Sequence, residues 1–337
     1  MADFSLFKNK MSVMRFRADE PTKISADELR EGLIRFRFSG DVGIPVNYGF
    51  VDFDDLYGKY PKFRDHAHVF GNWFVAAVRF DKRNVPASAI KREVALRLQQ
   101  YKENSGAKFI KKDKKAEIKE EVTQSLLSRV PVQTSFVVFA VDISNGNGYY
   151  YATSKKSFEQ FEELFERAYG VSFEPVEFDT DNDFLTYIWW ESESNSFAEM
   201  PLNGKLTKTF VGDRVSVSDD EQKITASGDI EEVKLSVSKG ADVTKIELLV
   251  HIGEDGRKFV VDIDGKLSGL TFEASMLPDS ESEELIPFIA ATEDVFGLLD
   301  LWVKRYSVAQ ENGSGLTPEI RKSWGRGEYC SKAFEDI

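Results

Sequence analysis

The sequence has a single cysteine, Cys330, so no internal disulfide framework can form, and that usage fits a reducing cytoplasm. Its three histidines, His66, His68 and His251, leave little material for imidazole-rich metal sites. Apolar residues never run unbroken for the roughly 18 positions a spanning helix needs, so no membrane partner is expected. The opening MADFSLFKNKMSVMRF carries Asp3 and no apolar segment of the kind a secretory leader requires, and no signal peptide is expected. Positive charge is in the minority, 44 Lys and Arg against 57 Asp and Glu, for a net −13 and a pI near 5.0. That balance predicts solubility and argues in general against polyanionic partners. What the chain has in quantity is phenylalanine, 27 residues, enough to make much of the core aromatic. At 337 residues it can fold as one large domain or two to three smaller ones.

The pattern along the chain is α+β. Residues 11–17 alternate with the period of a strand, and Ser25 caps a helix carrying Leu29, Leu33 and Ile34. GIPVNYGFVDFDDLYGKYP reads as loop with a short extended piece, and 72–80 as a buried strand. Pro86 starts a helix with Ile90, Val94, Leu98 and Tyr101 on one stripe, and Gly106 interrupts before a second helix. SFVVFAVDIS, the NGNG turn and YYYATS form a hairpin, followed by a helix capped at Ser157 and stopped at Gly170. A further helix enters near Asp181–Asp183. Residues 205–273 read mostly as short strands, EVKLSVS among them, and LIPFIAATEDVFGLLDLWVKRYSV closes the core as helix. The resulting organisation is a first α/β region, 1–85; a basic helical arm, 86–131; a second α/β region, 132–306; and a C-terminal extension, 307–337. Mixed or antiparallel sheets are expected.

One stretch contradicts the acidic whole. Lys91, Arg92, Arg97, Lys102, Lys108, Lys111, Lys112, Lys114, Lys115 and Lys119 face only Glu93, Glu103, Asp113 and Glu117 between residues 91 and 119. That segment is +6, which leaves −19 for the rest. Taking about 100° per residue, Lys108, Lys111, Lys112, Lys115 and Lys119 fall within a sector of about 100°, and Val122 and Leu126 continue it. The face thus turns from charged to apolar, as if the later half packed on the body while the earlier half projected. An ordinary solvated lysine face is the plain alternative. Neutralising phosphates is the task such a face suits, and without zinc-finger, RNP or helix-turn-helix patterns the binding expected is sequence-independent.

Other constellations are weaker. Asp52, Asp54 and Asp55 suggest a metal-dependent phosphodiesterase but have no distant carboxylate partner. His66 and His68 have strand-face spacing without a third ligand, and Cys330 lies far from any histidine. SNGNGYYY lacks the lysine and hydroxyl of a phosphate loop. Trp189 and Trp190 are able to stack on bases, though adjacent tryptophans on a helix more often anchor a core or a subunit contact. No catalytic site and no cofactor are expected.

The order of four stretches resembles the RdgC family of recombination-associated proteins: VAAVRFDKRNVPASAIKREV with KKDKKAEIKEEVTQSLLSRV, VVFAVDISNGNGYYYATSKKSFEQFEELFERAYG, DFLTYIWWESES, and KIELLVHIGEDGRKFVVDIDGKLSGLTF. The resemblance covers residues 10–305. It implies a ring-shaped homodimer that encircles duplex DNA without sequence preference and restrains the RecA recombinase in the cytoplasm, on the nucleoid; single-stranded DNA is a further candidate partner, and the preference between the two is left open. By position it assigns DNA contact to Lys91, Arg92, Arg97, Lys108, Lys111, Lys112, Lys114, Lys115, Lys119 and Arg129. Where relatives carry an aromatic after Leu-Leu-Pro-Arg-Ala, this chain reads Leu126-Leu127-Ser128-Arg129-Val130-Pro131, so dimer contact passes to Val130, Val132 or Phe109, with Trp189 and Trp190 as further candidates. Some relatives carry an exonuclease label. A metal-dependent exonuclease and an adaptor for an acidic partner are the two rival functions.

Overall fold

The structure is a computed structural model. It describes residues 4–18, 25–40, 44–63, 68–106, 109–194, 198–218, 223–227, 230–278, 284–313, 317, 319 and 322. His66, Lys108 and Cys330 lie outside the described residues.

The strands are β1 (Lys10–Ala18), β2 (Val46–Val51), β3 (Val69–Phe70), β4 (Trp73–Lys82), β5 (Gln133–Asp142), β6 (Asn147–Tyr150), β7 (Phe173–Pro175), β8 (Ala198–Leu202), β9 (Lys205–Ser218), β10 (Lys223–Ser227), β11 (Asp242–Ile252), β12 (Asp255–Asp262) and β13 (Leu267–Thr271). The helices are α1 (Ala26–Arg35), α2 (Ala87–Ser105), α3 (Lys112–Leu127), α4 (Lys155–Tyr169), α5 (Phe184–Ser194), α6 (Ile230–Ser238) and α7 (Ile286–Glu311). The strands pair antiparallel in the order β10-β9-β11-β12-β13-β1-β6-β5-β4-β2, with β8 on β9, β7 on β1 and β3 on β4. The α+β class expected from the sequence is the one observed; every pairing between the described strands is antiparallel, and one isolated parallel bridge joins Arg37 to Phe50.

β1 joins the two halves. Its first residues pair with β13, Lys10 opposite Thr271, and after an irregularity between Met11 and Val13 its later residues pair with β6. In the first half, β4 and β5 carry unbroken apolar runs, residues 73–78 and 136–141, because both faces are covered there. Phe74, Ala76, Val78, Phe139 and Val141 face a core completed by Leu29 and Leu33 of α1 and by Phe158, Phe161 and Phe165 of α4. Trp73, Val75, Ala77, Val138 and Ala140 face the opposite core, which contains α5 and α7. There Tyr149 stacks on Phe296 with ring centroids 5.4 Å apart, and Phe7 meets Phe288 edge-on at 5.1 Å. α7 buries eleven residues over about half of its circumference, a broad apolar face turned to the core. It reaches Glu311, so the first five residues of the 307–337 extension belong to the closing helix.

Caps fix several boundaries. Ser25 forms a full capping box with Glu28 at the start of α1. α4 begins one turn earlier than its sequence suggests, because Ser154, not Ser157, is the cap, accepting from the Ser157 amide at 3.3 Å. Gly170 ends α4 at φ +69°, a conformation that favours glycine.

EVKLSVS is helical, not extended. Val233 and Val237 are buried while Leu235 is 48% exposed, which is a four-residue period, and Glu231 and Glu232 sit favourably in the first turn of α6.

Candidate nucleic-acid interface

α2 and α3 leave the sheet between β4 and β5, whose ends remain paired, Lys82 opposite Gln133. Six residues separate the helices, so they run antiparallel as a hairpin, with Lys114 at the start of α3 beside Tyr101 near the end of α2. α2 buries no residue; Ile90, Val94, Leu98 and Tyr101 are half-buried, the stripe expected from its sequence. α3 buries Ile118, Val122 and Leu127, none of which belongs to either main core. The charged-to-apolar change along α3 is therefore present, but its apolar part packs chiefly on α2 rather than on the sheet. Gly106 turns the chain at φ +64°, and Phe109 at the tip is 89% exposed.

α3 carries four lysines and four acids, yet they are segregated. At about 100° per residue, Lys112, Lys115 and Lys119 occupy one flank of the contact stripe, and Asp113, Glu117, Glu120 and Glu121 occupy the outer and opposite flanks. On α2 the same projection puts Lys91 and Lys102 to one flank of its stripe and Arg97 to the other. Antiparallel helices turn in opposite senses when viewed down a common axis. Residues displaced in the same sense from the two stripes therefore share a side of the hairpin. That side holds Lys91, Lys102, Lys112, Lys115 and Lys119.

The remaining cations of the segment are elsewhere. Lys114 is half-buried; its ammonium donates to Glu117 at 2.5 Å, a bond that holds it above its usual pKa, and lies 5.8 Å from the Tyr101 ring centroid. Arg97 pairs with Glu93 at 3.6 Å on the same side as Lys114. Arg92 points outward, Lys111 is exposed at the N-cap of α3, and Arg129 is exposed beyond its C-terminus. Lys91, Lys102, Lys112, Lys115 and Lys119 make no ion pair with another described residue. Lys102 was present in the basic run, but its place on this face needed the partner helix.

The competing constellations dissolve into structural roles. Asp52 is fully buried just after β2; one carboxylate oxygen accepts from the Asp54 amide at 2.8 Å and the other lies 3.3 Å from His68 Nε2. His68 Nδ1 in turn faces the Val75 carbonyl at 3.0 Å. Asp55 accepts from the Lys62 amide at 3.2 Å. Among the described residues no three His, Cys, Asp or Glu side chains are placed to share a metal ion. Trp189 and Trp190 are 1% and 6% exposed within the main core. Val130 is half-buried and Val132 37% exposed at the root of the hairpin. Among the described residues no helix is long and apolar enough to cross a membrane.

The sequence model of one family, described as "Putative exonuclease, RdgC", matches residues 6–284. A curated protein of Psychromonas ingrahamii, named recombination-associated protein RdgC, is 23% identical over 305 residues, covering 89% of this chain and 94% of that protein. The four stretches quoted from the sequence lie within or across this span, and with the family match covering most of its length the chain belongs to the RdgC family.

Proposed function

We propose that the protein binds duplex DNA without sequence preference and modulates homologous recombination by occupying the duplex, so that the RecA recombinase is denied access. The observation that carries this reading is the set of lysines on one side of the α2–α3 hairpin, free of carboxylate partners among the described residues, in a chain of net charge −13. Ammonium groups spaced along a helix face neutralise phosphates and displace condensed counterions, whereas bases are read by planar polar pairs that this face lacks. A homodimer closed into a ring, cationic inside and anionic outside, brings two such faces to one duplex. Phe109, Val130 and Val132 are apolar side chains of the hairpin and its root that are available to close it. Action on the nucleoid, in the cytoplasm, follows from the same reading.

Five lysines from each of two protomers give about ten phosphate contacts, hence a slope of about −9 in log affinity against log salt. Replacing Lys91, Lys112, Lys115 and Lys119 by glutamine should weaken binding to all duplex sequences alike and flatten that slope severalfold. Neutralising Arg97 and Lys114 on the other side should alter it by less than about one. Fluorescence anisotropy across a salt series measures both, and equal effects from the two sets would remove the hairpin face as the contact. Mass by light scattering with and without DNA tests the ring, which a strict monomer in both conditions would end. An exonuclease would shorten end-labelled duplex with magnesium or manganese in a manner abolished by substituting Asp52 and Asp54. An adaptor would leave bare DNA unshifted in a gel.

A further inference from the structure

A second cationic surface lies at the root of the hairpin, away from the helix face. A groove of about 620 Å³ runs between the start of β1 and the start of β5, lined among others by Lys8, Lys10, Ser12, Tyr57, Phe136 and Ser154. No Asp or Glu is among its described lining residues, which is unusual in so acidic a chain. Hydroxyl groups and two lysines make up its polar surface, and Tyr57 and Phe136 supply aromatic rings.

Tyr57 belongs to YGKYPKF, residues 57–63, where aromatic and cationic side chains interleave. Its ring is 72% exposed and meets Phe136 edge-on at 5.1 Å, so it stands against the groove wall rather than inside the core. Tyr60, three residues on, is 52% exposed, with Lys59 Nζ 5.5 Å and the Arg37 guanidinium 5.9 Å from its ring centroid. The acids of the same loop are turned inward: Asp52 is buried, Asp54 Oδ1 is shielded from solvent, and Asp55 holds the Lys62 amide. Cations and rings thus face out.

The loop is held from beneath. Arg79 of β4, 8% exposed, grips both carboxylate oxygens of Asp81 at 2.8 Å and donates to the carbonyls of Leu56 at 3.4 Å and Gly58 at 3.2 Å. Asp81 also accepts from Thr134 at 2.8 Å, beside the groove. The backbone on both sides of Tyr57 is therefore anchored to the sheet. An exposed tyrosine on an anchored turn, in a cationic trough, has the composition of a base-stacking platform. A protein partner with an acidic surface would satisfy the lysines but leave the rings without purpose.

We propose that this groove takes unpaired nucleotides, their phosphates on Lys8 and Lys10 and a base stacked on Tyr57. The inference rests on the DNA-binding reading and adds a second site, separate from the hairpin face, for single-stranded DNA. Duplex bases are already stacked on each other and offer no free face to Tyr57, so the two sites divide their ligands.

The test compares a labelled oligothymidylate with a labelled duplex by anisotropy, using the full chain. Tyr57→Ala should weaken oligothymidylate binding roughly 5- to 150-fold while leaving duplex affinity within about twofold, the range expected for losing one stacked base. Tyr57→Phe should bind as the unaltered chain does, since the ring and not the hydroxyl is used. Lys8→Gln with Lys10→Gln should reduce the single-strand salt slope by about 1.4, whereas Tyr57→Ala should leave it unchanged. Unchanged oligothymidylate affinity in Tyr57→Ala, or an equal loss on duplex, overturns the site. So does a change in the mass of the free protein, which would make the loop a contact between copies. A chain that binds duplex but not oligothymidylate sinks this inference alone; one that binds neither sinks the proposed function with it.

Discussion

Arg79 and Asp81 show how a charged pair inside an apolar strand can be read. WFVAAVRFDK is buried along nine of its ten residues, so charges two apart on one face must either meet or be expelled. Here they meet in a two-pronged pair, and the guanidinium lies 4.1 Å from the Phe38 ring centroid. Arg79→Ala would leave Asp81 buried without its counter-charge, and a loss of about 3–5 kcal/mol is expected in urea unfolding. Arg79→Lys should recover little of it, because an ammonium cannot span both oxygens and two carbonyls. Replacing Arg79 and Asp81 together by leucine should cost less than Arg79→Ala, and a larger cost would show that the loop carbonyls dominate. The sequence marks this pair only as an oddity within a strand. Asp52 and His68 are similar: separately each suggests a metal ligand, but the turn after β2 and the β3–β4 ribbon bring them to each other. That contact joins residues sixteen apart through a fold no local pattern specifies.

Elements with one dominant period were legible, and those satisfying two periods were not. The stripe on α2, the capped start of α1, the β5–β6 hairpin and the glycine stops of α2 and α4 all follow from local spacing and turn chemistry. In EVKLSVS, Val233, Leu235 and Val237 satisfy a period of two, while Val233 and Val237 alone satisfy a helical one. Contact with β9 and β10 decided for the helix. The distinction is measurable: Val237→Ala should destabilise by about 2 kcal/mol, whereas Leu235→Ser should stay within about 0.5. Comparable losses at both positions would contradict the helical packing. Similarly, the basic run was visible, but which of its cations share a side was not. Lys102 joins that side and Arg97 leaves it only because α2 packs antiparallel on α3, a tertiary fact. β1 was recognised as a strand, yet it pairs with β6, more than a hundred residues away, and with β13, more than two hundred away.

The molecule as a whole has put most of its tyrosine into its cores, and this gives stability a pH dependence with a definite sign. Burial and a bond to Glu163 push Tyr48 up to about 12; burial, with Glu191 nearby, pushes Tyr187 to about 12. Burial drives Tyr149, Tyr150, Tyr151, Tyr169 and Tyr306 upward as well. In the unfolded chain these phenols lose their protons near pH 10. Above that value the unfolded state binds fewer protons than the folded one, so stability falls as pH rises; below it the contribution is complete. Burial also raises Glu191, Asp262 and Glu293, and their effect has the same direction in the weakly acidic range, where the folded state retains protons the unfolded state has released. Urea midpoints should therefore decline steeply once pH passes about 10, with tyrosinate absorbance rising together with the loss of helical circular dichroism. Gradual ionisation of most tyrosines near pH 10 in a chain that keeps its dichroism would show that they are reached by solvent, against two tightly filled aromatic cores. The hairpin offers the internal contrast: it draws on neither core, and Tyr101, half-exposed between α2 and α3, stands outside the buried set. Tyr149→Phe should accordingly shrink the alkaline decline in the urea midpoint, since it removes one of the phenols that burial holds protonated.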